Sequence, residues 1–168
     1  ETAILTTETE YSSGLLGWDI AMTGDGSVIA AGSRNYDNIG AVFIYRSPGT
    51  WASASEDQMV TAYNGLIGDN FGFSVALSGS GGYLVTGAPL RDPDESNEGA
   101  FYLYILDEGS YTAATPNYFT QMTLMNSAAY FGLSLAISPD AGTICVSAPV
   151  WNDTDPALNA VGTALIYQ

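Results

Sequence analysis

Short apolar runs, rich in β-branched and aromatic residues, are separated along the whole chain by clusters of Gly, Pro, Asn, Asp and Ser. This pattern predicts strands and turns. No stretch of helical length carries apolar residues at a period of about 3.6. The runs also recur. Phe71-Gly72-Phe73-Ser74-Val75-Ala76 leads through a short turn into Tyr83-Leu84-Val85-Thr86-Gly87-Ala88-Pro89, and Phe131-Gly132-Leu133-Ser134-Leu135-Ala136 leads into Ile144-Cys145-Val146-Ser147-Ala148-Pro149. A more diverged copy runs from Leu16-Gly17-Trp18-Asp19-Ile20-Ala21 into Val28-Ile29-Ala30-Ala31-Gly32-Ser33. Each copy continues through a polar loop into a third run ending in an aromatic: Tyr45, Tyr104 and Tyr167. Self-similarity at roughly 55–60 residues marks a stacked or radial repeat architecture.

The turn clusters Thr23–Ser27, Ser78–Gly82 and Ser138–Gly142 connect strands one and two of each copy as hairpins. Because strands one and two are apolar at most positions, burial on both faces is expected. A fourth strand is expected over 57–62 and over 119–124, preceded by irregular stretches at 47–51 and 107–111. Four strands in an antiparallel meander make one propeller-type blade. The ends are out of phase with the blades. Thr2-Ala3-Ile4-Leu5-Thr6-Thr7 precedes Leu16-Gly17 as the fourth strands precede Phe71-Gly72 and Phe131-Gly132, so the chain begins with an orphan fourth strand and ends on a third. The expected fold is all-β: three four-stranded antiparallel blades, twelve strands, with the last sheet split between the N-terminal strand and the C-terminal three strands. Residues 1–168 read as one propeller segment with repeats at roughly 15–69, 70–129 and 130–168 plus the N-terminal strand 2–7.

Hydrophobic content of 46% excludes a disordered chain, and no apolar run reaches membrane-spanning length. Eighteen acidic residues face three Arg (Arg34, Arg46, Arg91), with no Lys and no His, a formal net charge of −15. Nucleic acid and anionic membrane surfaces are thereby excluded as partners, since both require clustered cations. Without His, Ser–His and Cys–His nucleophilic devices are absent. The lone Cys145 sits in an apolar run and reads as a small core residue. The chain starts at Glu1, which is expected of a processed or excised segment.

Phe-Gly…Gly-Ala-Pro at this spacing, followed by a polar loop and Gly-Ala-x-x-x-Tyr, resembles the FG-GAP repeat of integrin α-subunit β-propellers and their secreted relatives. The middle copy matches best, with Phe71-Gly72 and Gly87-Ala88-Pro89. The third copy has Ser147 for the Gly, and the first has Gly32-Ser33 where Ala-Pro is expected. The resemblance implies an extracellular or cell-surface location and roles in adhesion or ligand recognition. The Asp-rich loop that holds calcium between strands one and two in that family is missing, since those turns contain only Asp25 or Asp140. Family propellers usually have seven blades, and this chain has three.

Candidate chemistry lies in the loops that follow the Ala-Pro position. Asp92, Asp94, Glu95, Asp153 and Asp155 are the candidate metal residues, calcium being the cation that several oxygens from a flexible loop would suit. Against this stands the plain reading of solvated turns. Asn152-Asp153-Thr154 is a glycosylation sequon at Asn152. Trp51, Tyr111, Tyr118 and Trp151 are candidates for stacking on sugars, or equally for packing between blades.

Three blades are too few to close a ring alone, and an unfilled strand edge invites a partner. The expected function is therefore that of an extracellular, non-enzymatic structural or adhesive building block. It would associate head to tail with other copies, Thr2, Ala3, Ile4, Leu5 and Thr6 of one chain completing the sheet that ends at Leu165, Ile166 and Tyr167 of the next. The alternatives are a recognition module for glycans or extracellular proteins and a carboxylate-based glycan-active enzyme. The same strand pairing would occur within one polypeptide if the 168 residues are part of a longer propeller.

Overall fold

The computed structural model describes residues 3–8, 13–47, 49–92, 98–113, 129–150 and 162–168. These residues form three antiparallel sheets of four, four and three strands. The first sheet is β1 (Leu16–Met22), β2 (Val28–Ser33), β3 (Ala41–Arg46) and β4 (Gln58–Val60), in that order. The second is β5 (Ser74–Leu77), β6 (Tyr83–Ala88), β7 (Ala100–Asp107) and β8 (Ser110–Ala113). The third is β9 (Leu135–Ile137), β10 (Ile144–Ala148) and β11 (Thr163–Tyr167). Neighbours in sequence are neighbours in each sheet, the meander expected of a propeller-type blade.

Registers repeat from sheet to sheet. Ala30 pairs with Ile44, Val85 with Leu103, and Val146 with Leu165. Two of the three apolar clusters lie between sheets. Val42, Ile44 and Ala30 of the first sheet pack with Phe71, Val75, Leu77, Tyr102 and Tyr104 of the second. Val85 and Phe101 of the second pack with Phe131, Ile144 and Val146 of the third, with Leu135, Leu165 and Tyr167 against them. Burying such side chains is worth about 1.5–3 kcal/mol each, so sheet-on-sheet stacking supplies the main stabilisation.

Two expectations change. The described fourth strand of the second sheet is Ser110–Ala113, and 119–124, where one was expected, lies outside the described residues. The stretch 107–111 is no irregular connection: Asp107 pairs with Ser110 across a tight turn in which Glu108 and Gly109 have φ of 47° and 84°. Two successive positive φ values match the right-handed twist of a hairpin. Second, β1 is not buried on both faces. Leu16, Ile20 and Met22 are exposed, because no described sheet packs on that side of the first blade, and Trp18 is exposed too although its ring meets Phe73 of the second blade at 5.5 Å.

Candidate assembly interface

Both internal junctions are built alike. The Phe71 N–H donates to the Ile39 carbonyl (2.9 Å) and the Phe131 N–H to the Glu98 carbonyl (2.9 Å), forming parallel bridges to Gly40 and Gly99. The Phe131 ring meets Phe101 of the second blade edge-on at 5.8 Å, and Phe71 shares an apolar cluster with Val42, the counterpart of Phe101 in the first blade. The strand-one/strand-two hairpins are also linked: the Gly24 N–H donates to Gly79 O (3.1 Å) and the Gly79 N–H to Pro139 O (2.9 Å).

The same parts stand open at the two ends of the array. Ile20 and Met22 match Val75 and Leu77 in register after Gly17 and Gly72. Val75 and Leu77 are 5% and 8% exposed within a junction, whereas Ile20 and Met22 are 68% and 59% exposed. At the other end Gly162, Ala164 and Ile166 match Gly40, Val42 and Ile44. Val42 and Ile44 are fully buried, and Ile166 is 66% exposed. The outer edge of β11 carries no described strand. One open face therefore has the composition of the upper half of a junction and the other that of the lower half.

The N-terminal segment occupies a defined place between them. Leu5 bridges Ala54 in parallel, with the Thr6 N–H donating to Ala54 O (3.0 Å) and the Ala54 N–H to Ile4 O (3.2 Å). The Tyr45 hydroxyl donates to the Thr6 carbonyl at 2.9 Å. In the second blade Tyr104, the counterpart of Tyr45, donates to the carbonyl of Thr61 at 2.9 Å. Thr61 follows β4, the fourth strand of the blade before it. Thr6 and Thr61 lie equally far ahead of Leu16 and Phe71, since 16 − 6 = 71 − 61 = 10. The N-terminal segment thus sits on the first blade where the fourth strand of a preceding blade belongs. Burial pushes the Tyr45 hydroxyl up to about 12, with the Glu56 charge adding to it. Burial raises Tyr104 as well, helped by Tyr102 and Tyr63. Both phenols therefore remain protonated donors.

Of the candidate metal residues, Asp92 is exposed, while Asp94, Glu95, Asp153 and Asp155 lie outside the described residues, as do the sequon residue Asn152 and Thr2. Among the described residues no three His, Cys, Asp or Glu side chains converge. Asp25 and Asp140 close their own hairpins. Asp25 accepts from the Thr23 hydroxyl (2.7 Å) and the Ser27 N–H (3.0 Å), and Asp140 from the Ser138 hydroxyl (2.6 Å) and the Gly142 N–H (3.0 Å). The backbone N–H of Ser27, with the Thr23 and Ser27 hydroxyls, holds the Asp25 carboxyl down at about 2. Arg91 forms a buried ion pair with Asp69 at 2.9 Å and is committed to the core.

Two of the candidate stacking aromatics are turned inward. The Tyr111 hydroxyl donates to Gly81 O (2.5 Å) and the Trp51 indole N–H to Gly26 O (3.0 Å), so each ring closes over a hairpin of its own sheet. Tyr118 and Trp151 lie outside the described residues. Leu16, Ile20, Met22, Gly162 and Ala164 were not singled out by sequence reasoning as interface residues. Their signal was their alignment with buried partners in the other copies.

Residues 54–104 match the family model of the FG-GAP repeat. That span holds the best-preserved copy, so the resemblance carried by Phe71-Gly72 and Gly87-Ala88-Pro89 stands. No curated protein matches the chain. Among solved structures the chain is similar to Kuenenia stuttgartiensis hydrazine synthase, with a TM-score of 0.48 and 14% identity over 88% of this chain. It spans 34% of the length of that protein. Among the described residues no helix is long and apolar enough to cross a membrane.

Proposed function

We propose that this chain, a propeller-type module carrying an FG-GAP repeat, is an extracellular, non-catalytic building block that associates head to tail with further copies by β-strand complementation. The observation that carries the reading is the match between the Tyr45–Thr6 and Tyr104–Thr61 hydrogen bonds. It supports reading the N-terminal segment as the fourth strand of a preceding blade, a place that β9–β11 of another copy would offer.

The register follows from β3 and β4, where Val42 pairs with Val60, Phe43 with Met59 and Ile44 with Gln58. Transferred to a second copy, Leu5 faces Ala164, Ile4 faces Leu165 and Ala3 faces Ile166. The exposed Ala164 and Ile166 then pack on Ile20 and Met22, and Leu16 bridges Gly162. Such a contact is heterologous: it closes into a ring or propagates as a filament according to the rotation it imposes. Edge pairing and apolar burial act together, and both remove features that invite unspecific aggregation.

Sedimentation of the full chain is expected to show species that grow with concentration, and a chain lacking residues 1–8 is expected to stay monomeric. A wild-type chain monomeric at high concentration, or unchanged assembly after the deletion, would sink the reading.

A further inference from the structure

The guanidinium carbon of Arg34 stands 3.9 Å from the centre of the Trp18 ring and 5.8 Å from that of Phe73, across the junction between the first two blades. Trp18 remains 46% exposed, while Arg34 and Phe73 are half-buried. The Arg34 Nε is buried without an acceptor, and among the described residues no carboxylate forms an ion pair with this side chain. Asp19, next to Trp18, is committed elsewhere: its carboxylate accepts from the Val75 N–H (2.8 Å) and the Ile20 N–H (3.0 Å). A chain with eighteen acidic residues thus leaves one of its three Arg to two rings.

The other blades show that the fold does not require this cation. Trp18, Phe73 and Leu133 occupy one position, the N–H of each donating to the carbonyl three residues back, of Leu15, Asn70 and Tyr130 respectively. Ser33 pairs with Ala41, Ala88 with Ala100 and Ala148 with Thr163, so Arg34 stands where the other blades have Pro89 and Pro149. The second junction has Phe73, Pro89 and Leu133 at these places and closes without a charge.

From this we infer that Arg34, Trp18 and Phe73 form a binding site for a sugar acid, the terminal nitrogens of Arg34 taking its carboxylate and the exposed indole its pyranose ring. Three features point to this ligand. The guanidinium fork matches a carboxylate with two parallel N–H···O bonds. Because the guanidinium already rests on the indole, the group attached to that carboxylate settles beside the exposed ring. A pyranose joined directly to its carboxylate covers that surface, its C–H bonds meeting the negative ring face, whereas the stem of an acidic side chain leaves most of it wet. The net charge of −15 repels polyanions and so favours an isolated carboxylate. The site lies at a junction within one chain, so the inference does not depend on self-association.

NMR titration of the full chain, followed at the Trp18 indole N–H, is the test. The probes are methyl β-D-glucuronide, methyl β-D-glucoside, sodium acetate and the peptide Ac-Gly-Glu-Gly-NH2. Saturable binding of the glucuronide is expected, with the glucoside, which lacks the carboxylate, about tenfold weaker. Acetate and the peptide, which lack the pyranose, are expected to be weaker by at least about fivefold. Arg34→Gln is expected to weaken the glucuronide about tenfold and to leave the glucoside unchanged, a split that a merely structural arginine would not produce. Should that variant fail to fold by circular dichroism, Arg34→Lys keeps the charge, loses the fork and is expected to weaken the glucuronide about threefold. Absence of saturable glucuronide binding, a glucoside or acetate as tight as the glucuronide, or indifference to the variants would each overturn the proposal. A peptide as tight as the glucuronide would overturn it in favour of an acidic polypeptide. Sedimentation of the same samples reads self-association separately, so the two ideas fail independently.

Discussion

Gly109 and Gly132 share one left-handed backbone conformation, φ 84° in both, yet they answer to different demands. A Cβ at Gly109 would meet nothing within 4 Å, whereas at Gly132 it would strike the carbonyl oxygen of Ala100 in the neighbouring sheet. Gly109→Ala therefore costs only the left-handed penalty, about 1–2 kcal/mol. Gly132→Ala adds overpacking of a junction that cannot yield, for a total of about 2–5 kcal/mol. Chemical denaturation of the two variants distinguishes them, and equal losses would refute the close-approach explanation. The hairpin carboxylates give a second test. Asp25 is held at about 2 against 3.8 in the unfolded chain, and Asp140 is lowered by the Ser138 hydroxyl and then the Gly142 N–H. A depressed carboxylate contributes stability that is present above the unfolded value and lost as pH falls through the folded one. The melting temperature of wild type should thus exceed that of Asp25→Asn/Asp140→Asn at neutral pH. The gap should narrow below about pH 4 and vanish as pH falls through about 2. A gap undiminished below about pH 2 would assign the difference to shape rather than charge.

At the scale of elements, the first three strands of each blade were legible because their apolar runs are short, uninterrupted and bounded by turn residues. Tyr83–Ala88 forms a strand within a run that the pattern picks out, and Ala100–Asp107 begins in one and continues three residues past its closing Tyr104. The fourth strand of the second blade was not legible. Its turn uses Glu108 at positive φ, a position where Asn or Asp would have advertised the hairpin, and the polar run Ser110–Ala113 is weaker than the apolar run that follows it. Burial of β1 was misjudged for a different reason. Whether Ile20 and Met22 are covered depends on a sheet from outside the described array, and local pattern holds no information about that. Of the candidate interface, the orphan strand and its partner edge were legible as a phase shift between repeats and blades. The seat itself was not, since a phenol reaching the carbonyl of Thr6 leaves no periodic mark along the chain.

At the scale of the whole molecule, the two open faces belong to different ends, and this makes the proposed contact testable by mixing. Ile20→Asp places a carboxylate on the first-blade face, and Ile166→Asp places one on the third-blade face. Burying an unpaired charge costs several kcal/mol, so each variant alone should be monomeric at concentrations where wild type associates. A mixture still holds one intact pair of faces: the Ile166 face of the first variant against the Ile20 face of the second. The expected result is a capped dimer containing one chain of each kind, stable in sedimentation and unable to grow. An isologous contact would behave otherwise, because each face would then meet its own copy and mixing would rescue nothing. The dimer should be weaker than an internal junction. Gly24 on the first-blade face has its carbonyl open to a preceding hairpin, but Pro139, which would stand there, has no N–H to continue the Gly24–Gly79–Pro139 series. Replacing Pro139 with Gly, the residue of the middle hairpin, restores that donor in the Ile20→Asp chain. The mixed dimer should then tighten by about fivefold, the worth of one added hydrogen bond.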